Sequence, residues 1–409
     1  MSVTSRSSRA AAVCAAIAVV VLNGCTERVS DPDSARAAES ALGAAAPRGD
    51  ATASLRWSAI ARDFVAAQPT ATKPNPVAVL RAFAYLSLAQ YRAVAAADDA
   101  RGRSAPASPQ GAVGAASATV LSALFPGDTA TFAAQLRQQE SEATGTPAAQ
   151  SAFAAGEALG RTVGAAIVAL ARVDGFDLAW TGAVPNGPGY WSSDFDPPRP
   201  PQLPMLGRMR PFFMTSGDQF RPGPPPAFGT PRYVAALEEV RRFSDHRTDE
   251  QLRIAQFWAL TDGSLVAGFW NTEASKLIAH YQLGEAQAAR ALALVHMAAM
   301  DANIACYDAK YTYWFIRPYR ADPAITTPIG RPNHPSYPSN HGCVSGTSAY
   351  VLAALFPADA ARLAAMADEA AESRLYAGIH YRFDKDASLG IARAVAALAM
   401  ARGLTASIR

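Results

Sequence analysis

Across 409 residues the chain carries only four lysines and four cysteines. Nowhere beyond its N-terminal stretch does an uninterrupted apolar run approach the roughly 18 residues that a membrane span needs. Few lysines, a formal net charge of +3 and no dense Lys/Arg stripe argue against a nucleic-acid partner. Strictly alternating stretches of β-branched residues are also scarce, which predicts almost no sheet. What is abundant points the other way. Half of the residues are hydrophobic, enough to bury a substantial core. Alanine, with leucine, arginine and glutamate in long runs, favours helix. The expected fold class is all-α, built as antiparallel helical bundles.

At the N-terminus Arg6 and Arg9 precede the apolar run Ala10–Leu22 and then Asn23-Gly24-Cys25. A basic region, a short apolar region and a small residue before the cut describe a signal peptide over residues 1–24. Leu22-Asn23-Gly24-Cys25 also resembles a bacterial lipobox, with Cys25 as the acylated residue; ordinary secretion is the alternative. Either reading places the protein outside the cytoplasm, in the periplasm or cell envelope, with membrane contact only through a lipid on Cys25. Residues 25–54 lack apolar periodicity and read as a flexible tether. Residues 55–409 are expected to form one all-α catalytic domain with a motif core at 301–403. Cys306 and Cys343 are left for that domain, either as a disulfide or as two small buried thiols.

Helices are predicted from about Leu55, over Pro76–Ala97, at about 110–125, 129–143 and 148–173, and again over 230–243, 248–260, 285–316, 341–356, 359–378 and 386–403. Between Val184 and Pro231 the density of Pro and Gly excludes regular helix. Trp191, Phe212 and Phe213 make a solvated linker a poor description, so this segment is expected to wrap over the bundle surface, with a disordered linker as the alternative.

Three short blocks concentrate chemistry. In Lys310-YTYWFI-Arg317-Pro318 two cations stand seven residues apart, so one helix would project both from one face near its C-terminal end. Such cations also suit a solvated, dipole-neutralising helix end. In Pro338-Ser339-Asn340-His341 a hydroxyl and bare backbone amides open an apolar helix, which is an anion site, an ordinary N-cap, or both. His341 would lie beside the anion as proton donor or acceptor. In Ser373-Arg374-LYAGI-His380-YRF-Asp384 the cation and imidazole straddle Gly378, and Asp384 is placed to fix the His380 tautomer. Three fixed cations converging on one point repel by several kcal/mol, roughly, at an effective dielectric near 20. A multiply charged oxyanion reverses that sign.

Together these blocks resemble the signature of the superfamily of type 2 phosphatidic acid phosphatases and vanadium-dependent haloperoxidases, with the core match over Lys310–Asp384. Looser similarity at Pro188–Trp191, from Phe220 and at Ile254–Gly263 looks like the soluble haloperoxidase-type branch. The resemblance implies an all-α fold. It also implies that Lys310, Arg317, Ser339, the amide of Asn340 and Arg374 bind oxyanion oxygens, that His380 meets vanadium or phosphorus, and that His341 acts as acid and base. Asp262 would support an arginine. Small molecules are the implied partners: hydrogen peroxide and halide with vanadate as cofactor, or a phosphate ester attacked by His380 with no cofactor. Departures from the family pattern are Asn340 in place of Gly, Tyr307 in place of the Trp of chloroperoxidases, and His334, which is similar to bromoperoxidases. Tyr307 and His334 are therefore expected at a halide or substrate rim, with bromide or iodide favoured; a His in a Pro-rich loop is the alternative reading of His334.

Overall fold

The computed structural model describes residues 52–69, 71–101, 106–259 and 263–404. The expected leader, Cys25 and most of the tether lie outside them, as does Asp262. Thirteen α-helices occur among the described residues, with no strand beyond an isolated bridge between Tyr190 and Phe315. In chain order they are α1 Thr52–Ala67, α2 Pro76–Arg101, α3 Pro109–Leu124, α4 Thr129–Ala143, α5 Pro147–Arg172, α6 Pro231–Asp245, α7 Asp249–Phe257, α8 Leu265–His280, α9 Glu285–Tyr313, α10 Pro318–Ala321, α11 Asn340–Leu355, α12 Ala360–Tyr376 and α13 Arg382–Arg402. The all-α expectation is met.

The central element is α9, which is apolar or small nearly all round and therefore buried nearly all round. It packs on α2 at one side and on α11 at the other, and α11 is clasped by α12 and α13. The N-terminal half is held by a close α3–α5 contact. Gly156 and Gly160 let the two backbones touch there: a Cβ on Gly160 would come 2.1 Å from the Ala112 carbonyl oxygen.

The Pro-rich segment wraps the surface as expected and is anchored at fixed points, which excludes the disordered alternative. Asp301 of α9 accepts from the amides of Phe212, Phe213 and Met214 at 2.7, 2.7 and 2.9 Å. Further along, the Trp191 amide donates to the Trp314 carbonyl at 2.7 Å, and the Ile316 amide to the Gly189 carbonyl at 2.9 Å. The wrap thus braces the stretch that carries Arg317.

Two expectations need correction. Lys310 and Arg317 do not share a helix: α9 stops at Tyr313, Trp314 takes a left-handed conformation with φ 51°, and Arg317 is extended at φ −82°, ψ 149°. Proline at 318 disfavours helical dihedrals at Arg317, and the pairing of 314–316 with the wrap supplies the lost helical hydrogen bonds. In addition, α8 stands where no helix was expected. Its propensity is weak, with Gly268 and several β-branched and aromatic residues, but Ala267, Trp270, Ala274 and Leu277 fall on one buried face. Cys306 and Cys343 are both buried free thiols, not a disulfide.

Candidate active site

Lys310 reaches the site from the last turn of α9. Its ammonium is fully buried and donates to the carbonyls of Pro335 at 2.9 Å, Ser336 at 2.8 Å and Pro338. Burial depresses its pKa to about 8. Arg317 comes in on the extended segment. Its guanidinium donates to the His334 carbonyl at 3.1 and 3.0 Å, to the Ile379 carbonyl at 2.8 Å and to His380 Nε2 at 3.0 Å. Arg374, near the end of α12, donates to the Ala255 carbonyl and to Ser373 Oγ, both at 2.9 Å, and burial lowers its pKa to about 9. The chain then reverses at Gly378, φ +73°, a conformation that L side chains rarely adopt and that delivers His380 back toward Arg317.

His380 is neutral and its tautomer follows from its partners. Nδ1 lies 2.7 Å from Asp384 Oδ2 and is the donor there; Nε2 accepts from Arg317. Burial first, then Arg317 and Lys310, hold the imidazole well below its ordinary pKa. Asp384 Oδ2 also accepts from Ser336 Oγ at 2.5 Å and from the Tyr381 amide at 3.2 Å. Burial raises Asp384 to about 6, against the pull of these donors, so it is a carboxylate at neutral pH. Ser336 was not foreseen. The signal lay in a hydroxyl three residues before Ser339 inside the same proline-punctuated block.

Ser339 sits at the N-cap of α11, yet its side chain does not cap the helix, and its Oγ is buried without a hydrogen-bond partner. The capping alternative therefore fails. A donor that declines its own helix and finds no other protein acceptor is what an anion site beside the first-turn amides of Asn340 and its neighbours requires. His341, in that first turn, donates from Nε2 to the Trp258 carbonyl at 2.8 Å, which leaves Nδ1 with the lone pair. Apolar surroundings first, then Arg374, push it well below its ordinary pKa.

Tyr307 and His334 are not at a rim. Tyr307 is buried on α9, its ring 5.5 Å from that of His334. His334 is buried too, with Nδ1 3.1 Å from the Arg317 guanidinium, so it is not a loop residue facing solvent. A histidine that accepts from Arg317 and packs against a tyrosine at a tilt of 43° stiffens that arginine. The Pro-rich loop around His334 hides them because it is folded inward by Lys310, whose three carbonyl acceptors all lie in residues 335–338.

The charges decide what the arrangement suits. Lys310, Arg317 and Arg374 are buried, and none forms an ion pair among the described residues. Among those residues the only carboxylate hydrogen-bonded into the cluster is Asp384, already committed to His380 and Ser336. Three cations against one carboxylate leave positive charge in a low-dielectric interior, which a bound oxyanion of two or three charges offsets.

No curated protein matches this chain in sequence. Residues 290–406 match the family model described as the PAP2 superfamily. Among solved structures, one described as the first bacterial vanadium-dependent iodoperoxidase superposes with a TM-score of 0.72 at 22% identity, covering 86% of this chain and 96% of that one. A bacterial vanadium-dependent chloroperoxidase superposes with a TM-score of 0.64 at 15% identity in its apo form, over 83% of this chain and 97% of that one. Its holo form gives the same TM-score and identity, with coverage of 82% and 94%. The chain has the all-α fold of these peroxidase structures, and its C-terminal stretch over residues 290–406 is similar to the PAP2 superfamily.

Proposed function

We propose that the protein is an exported, vanadate-dependent haloperoxidase-like enzyme that oxidises halide, bromide or iodide in preference, with hydrogen peroxide. The observation that carries the proposal is the buried surplus of positive charge around His380, with the partnerless Ser339 hydroxyl beside it. The donor set fits orthovanadate: guanidinium and ammonium groups, a hydroxyl, helix-start amides and one imidazole nitrogen, with no soft ligand. When bound, vanadate supplies a Lewis-acidic centre that activates peroxide toward a two-electron oxidation of halide. Lys310, Arg317 and Arg374 balance the anion's charge. Asp384 keeps the Nδ1 proton of His380 in place, so that Nε2, whose lone pair accepts from Arg317, is the nitrogen that would hold vanadate in exchange for that hydrogen bond. His341 holds its own proton at Nε2 and accepts at Nδ1, the state a base needs at neutral pH.

A second reading draws on the same His380–Asp384 pair. A neutral imidazole with its distal proton held by a carboxylate is also a nucleophile for a phosphate ester. In that case Nε2 bonds to phosphorus as the bond from phosphorus to the alkoxide breaks, the alkoxide takes its proton from water, and His341 Nδ1 then accepts a proton from the water that releases phosphate from the phosphohistidine.

Two assays on one preparation separate the readings. Protein loaded with orthovanadate is expected to oxidise bromide or iodide when peroxide is added, and phosphate is expected to inhibit. Hydrolysis of p-nitrophenyl phosphate by vanadate-free protein, with no halide oxidation after loading, reverses the choice. His380→Ala is expected to abolish whichever activity is present, and full turnover by that variant sinks both.

A further inference from the structure

The first turn of α11, which carries Asn340 and His341, also lines a chemically different cavity of about 60 Å³. Its walls are mostly apolar: Pro76, Val77 and Leu80 from α2, and Val344 from α11. No lysine, arginine or carboxylate lines it among the described residues. The polar content is confined to Asn303 of α9, Asn340 and His341.

Asn303 is fully buried, and neither its amide nitrogen nor its amide oxygen has a hydrogen-bond partner. An amide left with no partner in a protein interior costs about 1–3 kcal/mol, so a side chain of this kind lining a cavity points to something held there. The backbone gives the sign of that occupant. Val266 and Ala267 are first-turn residues of α8, and Asn340 and His341 are first-turn residues of α11. Neither helix is capped by its N-cap side chain: Ser264 and Ser339 both lack that bond. The positive ends of two uncapped helices thus meet at one small cavity. In α2 the corresponding amide, that of Val77, is already satisfied by Asn75 Oδ1 at 2.8 Å.

We propose that this cavity is a halide seat: a single large, weakly hydrated anion, bromide or iodide, held by the Asn303 amide N–H and the helix-start field of α8 and α11 against apolar walls. The inference rests on the haloperoxidase reading for its purpose but not for its chemistry. A multiply charged oxyanion is excluded from the cavity by the lack of a cation in its lining and is better served by Lys310, Arg317 and Arg374. A monovalent soft ion tolerates partial desolvation and needs only a few donors. Asn340 and His341 form the shared wall, so the seat lies beside the oxyanion cluster without overlapping it. Asn340 in place of glycine adds an amide to that wall.

The test is direct. Crystals of the full protein soaked in bromide are expected to show anomalous scattering in this cavity, and Asn303→Leu, a change of similar volume, is expected to remove it. For vanadate-loaded enzyme, Asn303→Leu should raise the halide KM roughly tenfold, the scale of losing a hydrogen bond to a charged group. Its kcat at saturating halide and its affinity for vanadate should be unchanged. Val266→Phe fills the cavity from a different helix and should raise the halide KM in the same way, which guards against a folding defect at position 303. Bromide absent from the cavity in the wild-type crystal, or an unchanged halide KM in both variants, overturns the seat while leaving the haloperoxidase reading in place. Bromide bound in the cavity of a protein that oxidises no halide does the reverse.

Discussion

Among individual residues, Asp384 has the most consequences. One of its oxygens serves His380, Ser336 and the Tyr381 amide, while the other is buried without a partner. A carboxylate held in this way is tuned by each donor. The Ser336 hydroxyl bonds the charged form and so pulls the pKa of Asp384 down from where burial would leave it. Ser336→Ala therefore raises that pKa above its present value of about 6. As pH falls, Asp384 is protonated sooner, and His380 loses the acceptor that holds its Nδ1 proton. The expected result is an acid limb of the activity profile displaced to higher pH, with the plateau near neutral pH reduced modestly. Asp384→Ala removes the acceptor at every pH and should cost roughly 10- to 100-fold in activity or oxyanion affinity, the range typical of residues that orient a ligand. A pH–rate profile measured on both variants decides this: an unmoved acid limb in Ser336→Ala means that Asp384 is not the group that titrates.

Between elements, stability and site geometry are held by different contacts. The α3–α5 seam relies on glycine where the backbones touch, and Gly160 has no room for a methyl group, because Ala112 main-chain atoms stand 2.1 and 2.9 Å from where its Cβ would sit. Backbone atoms cannot turn aside as a side chain does. Gly160→Ala should destabilise the protein by about 1–3 kcal/mol, the usual cost of overpacking, while vanadate affinity stays within twofold of wild type, roughly, since the seam shares no residue with the cationic cluster. Denaturant unfolding and a vanadate titration check the two halves of that statement, and a matched loss of affinity would show that the bundle halves are coupled. The same separation explains what could be read from sequence. Elements with long alanine- and leucine-rich periodicity, such as α5 and α9, were legible because local propensity and burial agree. The oxyanion residues were legible as residue types, but their supports were not. Arg317 was expected on the Lys310 helix because heptad spacing and helix geometry coincide, and only the pairing of residues 314–316 with a wrap more than a hundred residues upstream shows that it arrives on an extended segment. Ser336, Asn303 and the carbonyls that hold Lys310 act through long-range proximity, which carries no local pattern.

For the whole molecule, a buried surplus of positive charge predicts that a bound anion stabilises the fold. Lys310 titrates at about 8 in place of its ordinary 10.5, and Arg374 at about 9, because burial penalises their charged forms. Between these folded values and the higher unfolded ones the unfolded chain binds more protons, so stability of the anion-free protein rises with pH across that window. Oxyanion binding runs against this trend. The anion favours protonated Lys310 and Arg374, so its affinity is full below about pH 8 and falls as pH climbs through that value, when a proton must be taken up on binding. Any ligand that binds only the folded state adds about 2.7 kcal/mol of stability at a hundredfold excess over its Kd. Sulfate is a suitable probe, because its own charge is constant over the range. The expected observation is a rise in Tm of several degrees with sulfate over chloride at matched ionic strength near neutral pH, shrinking steadily as pH is raised from about 8 to about 10. Lys310→Met should abolish most of that increment and its pH dependence together, at a cost to the sulfate-free protein as well, because the carbonyls of Pro335, Ser336 and Pro338 lose their buried donor. An increment that stays constant to high pH, or survives in Lys310→Met, would mean that the cations hold no common anion and that their burial answers only to the loop carbonyls around them.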